Sequence, residues 1–74
     1  MDPDRIEILR LEDGRLALRR YQLGLLQEAI YVAEADLADQ LAAWPGLPVL
    51  LHRSAAPLAE TLRAAGREVR GGAG

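Results

Sequence analysis

Cysteine, lysine, phenylalanine and asparagine are all missing from this chain of 74 residues. Without cysteine there is no disulfide and no thiolate metal site, so nothing covalent staples the fold. Aromatic residues are nearly as scarce. Tyr21, Tyr31 and Trp44 are the whole set, too few and too scattered for a base-stacking platform. The apolar run near the middle, Leu47 to Leu51, is far too short to cross a bilayer. The opening "MDPDRIE" is acidic and polar, unlike a secretory signal, and a cytoplasmic location is the expectation.

The absence of lysine leaves arginine as the only basic residue type. A guanidinium fork suits phosphate, but alanine, glycine and proline are also abundant while lysine and asparagine codons go unused. That pattern fits a GC-rich coding sequence better than a binding preference. Charge by segment is more informative. Residues 1–20 balance to zero, residues 21–52 carry −4 and residues 53–74 carry +2, which sums to the formal −2. Wholesale attraction to nucleic acid or to an anionic membrane is not expected from so small a negative total.

A chain this short makes one domain, expected over residues 1–70 with 71–74 as a flexible tail. The clearest local signal is "RIEILRLEDGRLALRR", two apolar runs around Asp13-Gly14, which predicts strands near 5–11 and 15–20 joined as a hairpin. Leu9 and Leu11 fall on the opposite parity from Ile6 and Ile8, which implies a bulge or a sheet partly covered on both faces. Residues 22–44 admit two readings. As one helix, Leu26, Ile30, Ala33, Leu37, Leu41 and Trp44 form a stripe, but Val32 then lands on the far side. The favoured reading breaks the segment into a strand around "EAIYVA" and a helix capped by Asp36. Both readings share a helix over about 37–43, ended by Pro45 and Gly46.

"LPVLLHR" is continuously apolar and predicts a strand buried on both faces. "APLAETLRAAG" predicts a helix with Leu58, Leu62 and Ala65 inward and Gly66 at its left-handed exit. "REV" then returns as a strand, making residues 48–70 a parallel β-α-β unit. The expected class is a small two-layer α+β domain: an N-terminal hairpin, a further strand or long helix, then β-α-β.

Candidate chemistry is thin. His52, Arg53 and Ser54 would sit at the carboxyl end of a parallel strand just before a helix, where ligands gather in open α/β sheets. They are the candidate ligand-binding residues. Pro57 removes one backbone donor there, and no glycine loop is present. A hydrolase would need Ser54 as nucleophile and His52 as base, with no second histidine and no nucleophile elbow. Glu34, Asp36 and Asp39 lack the spacing of a calcium loop. No enzyme activity, cofactor or metal is expected. Tyr31, Trp44, Arg19 and Arg20 are the candidate protein-interface residues, since aromatic and arginine side chains anchor interfaces.

The leading expectation is a small non-enzymatic protein-binding module, a regulatory, inhibitory or accessory subunit of bacterial or phage type, with homodimerisation as one form of it. A protein partner or self-association is therefore expected. The alternative from another class is a small-anion or nucleotide sensor at Arg53-Ser54. A nucleic-acid binder using Arg15, Arg19 and Arg20 is a minor alternative. A hairpin followed by Gly71-Gly72 resembles ubiquitin-like carriers, and that resemblance would imply a sulfur or protein carrier. It covers only those residues: Ala73 and Gly74 follow, and residues 57–65 read as helix where such carriers have strand.

Overall fold

The computed structural model describes residues 2–71. Three strands run consecutively: β1 (Arg5–Arg10), β2 (Leu16–Gln22) and β3 (Leu25–Val32). A short 3-10 turn at Glu34–Asp36 leads into α1 (Leu37–Ala42). β4 (Val49–Leu51), a second 3-10 segment at Arg53–Leu58, α2 (Ala59–Ala64) and β5 (Val69–Arg70) complete the domain. The strands form one sheet in the order β3-β2-β1-β4-β5. β1–β2 and β2–β3 are antiparallel, whereas β1–β4 and β4–β5 are parallel. The expected small α+β domain, hairpin first and β-α-β last, is the observed one.

Alternation along the strands assigns the two faces. Ile6, Ile8, Leu16, Leu18, Val49 and Leu51 point to one side and are almost wholly buried. There they meet Leu37 and Leu41 of α1, Leu62 of α2, and Trp44, Ala55 and Leu58 from the adjoining turns. Among the described residues no polar or charged one is buried, so the core needs no internal polar pairing. Burying each branched side chain contributes about 2 kcal/mol. Among the described residues no helix lies over the opposite face, which carries Leu9, Arg19, Tyr21, Tyr31 and Leu50 and on which Ala17 is nonetheless buried.

That one-sided cover corrects two sequence expectations. β4 is not buried on both faces: Val49 and Leu51 are inside, but Leu50 is only half-buried on the open side. The odd parity of Leu9 reflects a part-covered second face, because the β1–β2 register runs without interruption. The bulge lies elsewhere, in the β2–β3 pairing between Arg20 and Tyr21. It follows that residues 22–44 are broken into strand and helix, as favoured, but the strand starts earlier, at Leu25.

The turns explain the breaks. Leu23 and Gly24 have φ of 54° and 79°, the successive positive values of a type I′ turn, whose twist matches a two-stranded ribbon. The N-terminal segment anchors this turn: the Leu23 N–H donates to the Asp4 carboxylate at 2.7 Å and the Gly24 N–H to the Pro3 carbonyl at 2.9 Å. α2 ends in a Schellman motif, with Arg67 N–H donating to the Leu62 carbonyl and Gly66 N–H to that of Arg63. Gly66 takes the left-handed φ of 86° expected of it. Ala65, however, is exposed rather than inward, because α2 ends at Ala64 and Ala65 is already the residue leaving the helix; the buried stripe is Ala55, Leu58 and Leu62. Asp36 occupies the cap position of α1 but its side chain makes no capping bond. Apart from Gly71, the expected tail lies outside the described residues, and so does Gly72 of the proposed glycine pair.

Candidate functional site

The first candidate is the strand-to-helix turn after β4. His52, Arg53 and Ser54 do come together at the carboxyl ends of β1 and β4. The His52 N–H donates to Ile8 at 2.9 Å, which carries the β1–β4 pairing to its last residue. His52 is the cap of the helical segment that follows. The His52 Nδ1 accepts the Ser54 backbone N–H at 3.1 Å and lies 2.7 Å from the Ser54 hydroxyl. The Ser54 Oγ in turn accepts the Arg10 backbone N–H at 3.0 Å. In the tautomer in which Nδ1 accepts the Ser54 N–H, the hydroxyl is the donor of the shorter contact as well.

This arrangement is a splice joining the end of β1 to the start of the next helical segment across the sheet. It satisfies the Arg10 N–H, which points past the end of β4 and has no strand partner there. As a nucleophile and base, the pair would have to give up that splice. As an anion cradle it is short of free donors, because the Ser54 N–H and hydroxyl are already engaged. Arg53 is exposed and makes no ion pair among the described residues. The Arg10 side chain is directed elsewhere, bonding the Gly14 carbonyl at 3.2 Å and Glu34 at 2.6 Å.

The four candidate interface residues divide between the two sides of the sheet. Trp44 is 7% exposed and belongs to the core. Arg20 lies beside it, its guanidinium carbon 5.7 Å from the ring centroid, and pairs with Glu28 at 2.7 Å. The Arg20 Nε is buried without a hydrogen-bond partner. Arg19 and Tyr31 are on the other side, exposed, on the face no helix covers. Arg15 approaches the Tyr31 ring at 5.7 Å, and Arg5 sits 4.0 Å over Tyr21.

The strongest surface feature is one of which sequence patterning found only Tyr31. Four large apolar residues are exposed: Leu23 at 78%, Leu25 at 67%, Leu26 at 53% and Tyr31 at 64%. All four lie on β3 or on the turn that starts it, and β3 is an edge strand. Leu26 reads in the sequence as a member of a helical stripe, so its exposure was invisible. The available signal was "QLGLL", where a glycine between leucines marks a two-residue hairpin loop.

A second surface feature is a groove between the two helices, with a free volume of about 350 Å³. Its walls are Leu37, Ala38 and Leu41 on one side and Leu58, Leu62 and Ala65 on the other, with Glu34 and Arg67 among its polar lining residues. Among the described residues no helix is long and apolar enough to cross a membrane.

Fold and surface together define a small mixed-sheet α+β domain with one bare face and one bare apolar edge. Comparison with protein-family models, curated proteins and solved structures finds no match to this chain.

Proposed function

We propose that this is a non-enzymatic protein-binding module, a regulatory, inhibitory or accessory subunit, and that β3 is its docking element. The observation that carries the reading is the collection of Leu23, Leu25, Leu26 and Tyr31 on a single edge strand and its turn. Edge strands present unpaired backbone groups, and proteins usually blunt them with lysine, proline or an inward charge. β3 has none of the first two, its one carboxylate, Glu28, is already paired with Arg20, and its bulge lies before Glu28, so that residues 28–32 keep a regular ladder. An eight-residue strand left open in this way suits strand addition, in which main-chain bonds give affinity and alternate side chains give selectivity.

The test uses the whole chain as bait in a lysate of its native host, beside an Ala29→Pro variant whose fold is checked by circular dichroism. A protein retained by the wild type and lost by the variant supports docking at β3. A strictly monomeric chain that retains nothing overturns the reading.

A further inference from the structure

We infer that the occupant of the β3 edge is a second copy of this chain, paired antiparallel about a two-fold axis through Ile30. This rests on the reading of β3 as a docking edge and names its partner. Hydrogen bonding fixes which backbone groups are free. In β1, the Ile6 N–H, the Ile8 carbonyl and the Arg10 N–H all bond toward the β4 side, to Pro48, His52 and Ser54. By alternation Glu7 and Leu9 bond β2 at Arg19 and Ala17, and Leu11 N–H bonds the Arg15 carbonyl at 2.8 Å in the same phase. Leu16, Leu18 and Arg20 therefore direct their groups at β3, to Val32, Ile30 and Glu28. The N–H and C=O of Ala29 and Tyr31 are left pointing outward.

Only one two-fold register uses these groups against each other. Centred on Ile30, Ala29 faces Tyr31 of the second copy and Tyr31 faces its Ala29, giving roughly four new main-chain bonds. Centred on Ala29, Tyr31 would meet Gln27 inside the bulge, where the ladder is locally disrupted and the backbone does not keep strand register. Centred on Tyr31, Glu28 would face Glu34 of the second copy, a like-charge pair.

The side chains fit the Ile30 register. On the helix-covered face Ile30 meets Ile30, and Glu28 meets Val32 rather than another carboxylate. On the open face the small Ala29 leaves room for the Tyr31 ring of the second copy. That ring then comes beside Arg19, which pairs with Ala29 in the β2–β3 ladder and makes no ion pair among the described residues. A cation over an aromatic face is an attractive contact. The same register sets Leu26 opposite Glu34 of the second copy, with Leu25 beside it, so the exposed leucines cover the turn that leads into its α1.

The chain has no cysteine, so a single introduced thiol reports the register. At a two-fold non-hydrogen-bonded position the Cα atoms lie about 4.5 Å apart, within disulfide range. Sedimentation of the full chain is expected to give a dimer. Ile30→Cys is expected to cross-link on mild oxidation, whereas Glu28→Cys and Val32→Cys alone do not. Ala29→Pro removes an outward N–H with no bond inside the monomer, and is expected to weaken dimerisation at least about tenfold with an unchanged circular dichroism spectrum.

A strict monomer overturns the second copy as occupant. If the same monomer still captures a host protein that Ala29→Pro loses, the docking edge stands and only this inference fails. A dimer indifferent to Ala29→Pro, or one in which Ile30→Cys does not cross-link, overturns the register.

Discussion

Arg67 gives the sharpest quantitative test of how this small fold is held together. It directly follows Gly66 at the exit of α2, and its guanidinium reaches back to the exit of α1. There it donates to the Trp44 carbonyl at 2.8 Å, to the Leu47 carbonyl at 3.3 Å and to the Leu41 carbonyl. One side chain thus gathers carbonyls from the last turn of α1 and from the loop after it, Leu41 also accepting the Trp44 N–H, and ties the two helix-to-strand connections together. Replacing it with methionine keeps the apolar stem and removes every donor. The carbonyls are only partly buried, so water recovers part of each loss. The Leu41 and Trp44 bonds are then worth about 1 kcal/mol each, the longer Leu47 bond about half that, and the lost cation at a helix C-terminus about 0.3 kcal/mol. The total is about 3 kcal/mol, against a stability of roughly 3–5 kcal/mol for a domain of this size. At about 4–8 °C per kcal/mol, Arg67→Met should melt about 12–24 °C lower than wild type in a circular dichroism scan. Arg67→Lys offers a point charge in place of a fork and should recover only about a third of the loss. A methionine variant melting within about 3 °C of wild type, or a lysine variant matching it, would refute this account of Arg67.

Three further substitutions probe other joints. Ser54→Ala strands the Arg10 N–H and removes a partner of His52, and should lower the unfolding free energy by about 1–2 kcal/mol in a urea titration; no change would mean that the splice is ornamental. Leu23→Asn places a residue that tolerates positive φ where leucine now sits at 54°. It should raise stability by about 1 kcal/mol while weakening docking at β3, two readouts that must move in opposite directions. Asp13 is held below the ordinary carboxylate value of 3.8 by the Arg15 backbone N–H and then by its guanidinium. A depressed folded-state value means that this contribution is complete above 3.8 and fades as the pH falls through the lower value, so Asp13→Asn should flatten the acid limb of a melting-temperature profile over that range.

Local chemistry was easy to read in the sequence, and long-range geometry was not. Asp13-Gly14 announced the first hairpin, Pro45-Gly46 stopped α1, and Gly66 ended α2 because each acts through its own backbone. Val32 on the wrong side of a helical stripe was enough to favour a strand before α1. The start of β3 escaped because Leu25 and Leu26 are apolar yet exposed, and apolar periodicity assumes that such residues face the core. The full burial expected of Leu50 failed because a run of leucines does not reveal that one face of the sheet lacks helices. At His52-Ser54 the residues were legible and the connectivity was not: the hydroxyl's partner, Arg10, is far away in the chain. Arg67 was silent for the same reason, since its acceptors become neighbours only when two separate helices end side by side.

The sheet is continuous in space but comes from two stretches of chain with different closure distances. β1, β2 and β3 are joined by tight turns and can pair as soon as they are made, whereas β4 must cross back past α1 to reach β1. Short closures precede long ones. During synthesis there is accordingly an interval in which a three-stranded meander stands alone, with Ile6, Ile8 and Arg10 still lacking their partners at Pro48, His52 and Ser54. Two long edges are then open instead of one, and each can accept the wrong strand. The arrival of β4 buries Val49 and Leu51, closes the β1 edge and leaves β3 as the one long edge still open to a partner. The same event that completes the core thereby selects which side of the sheet is sticky.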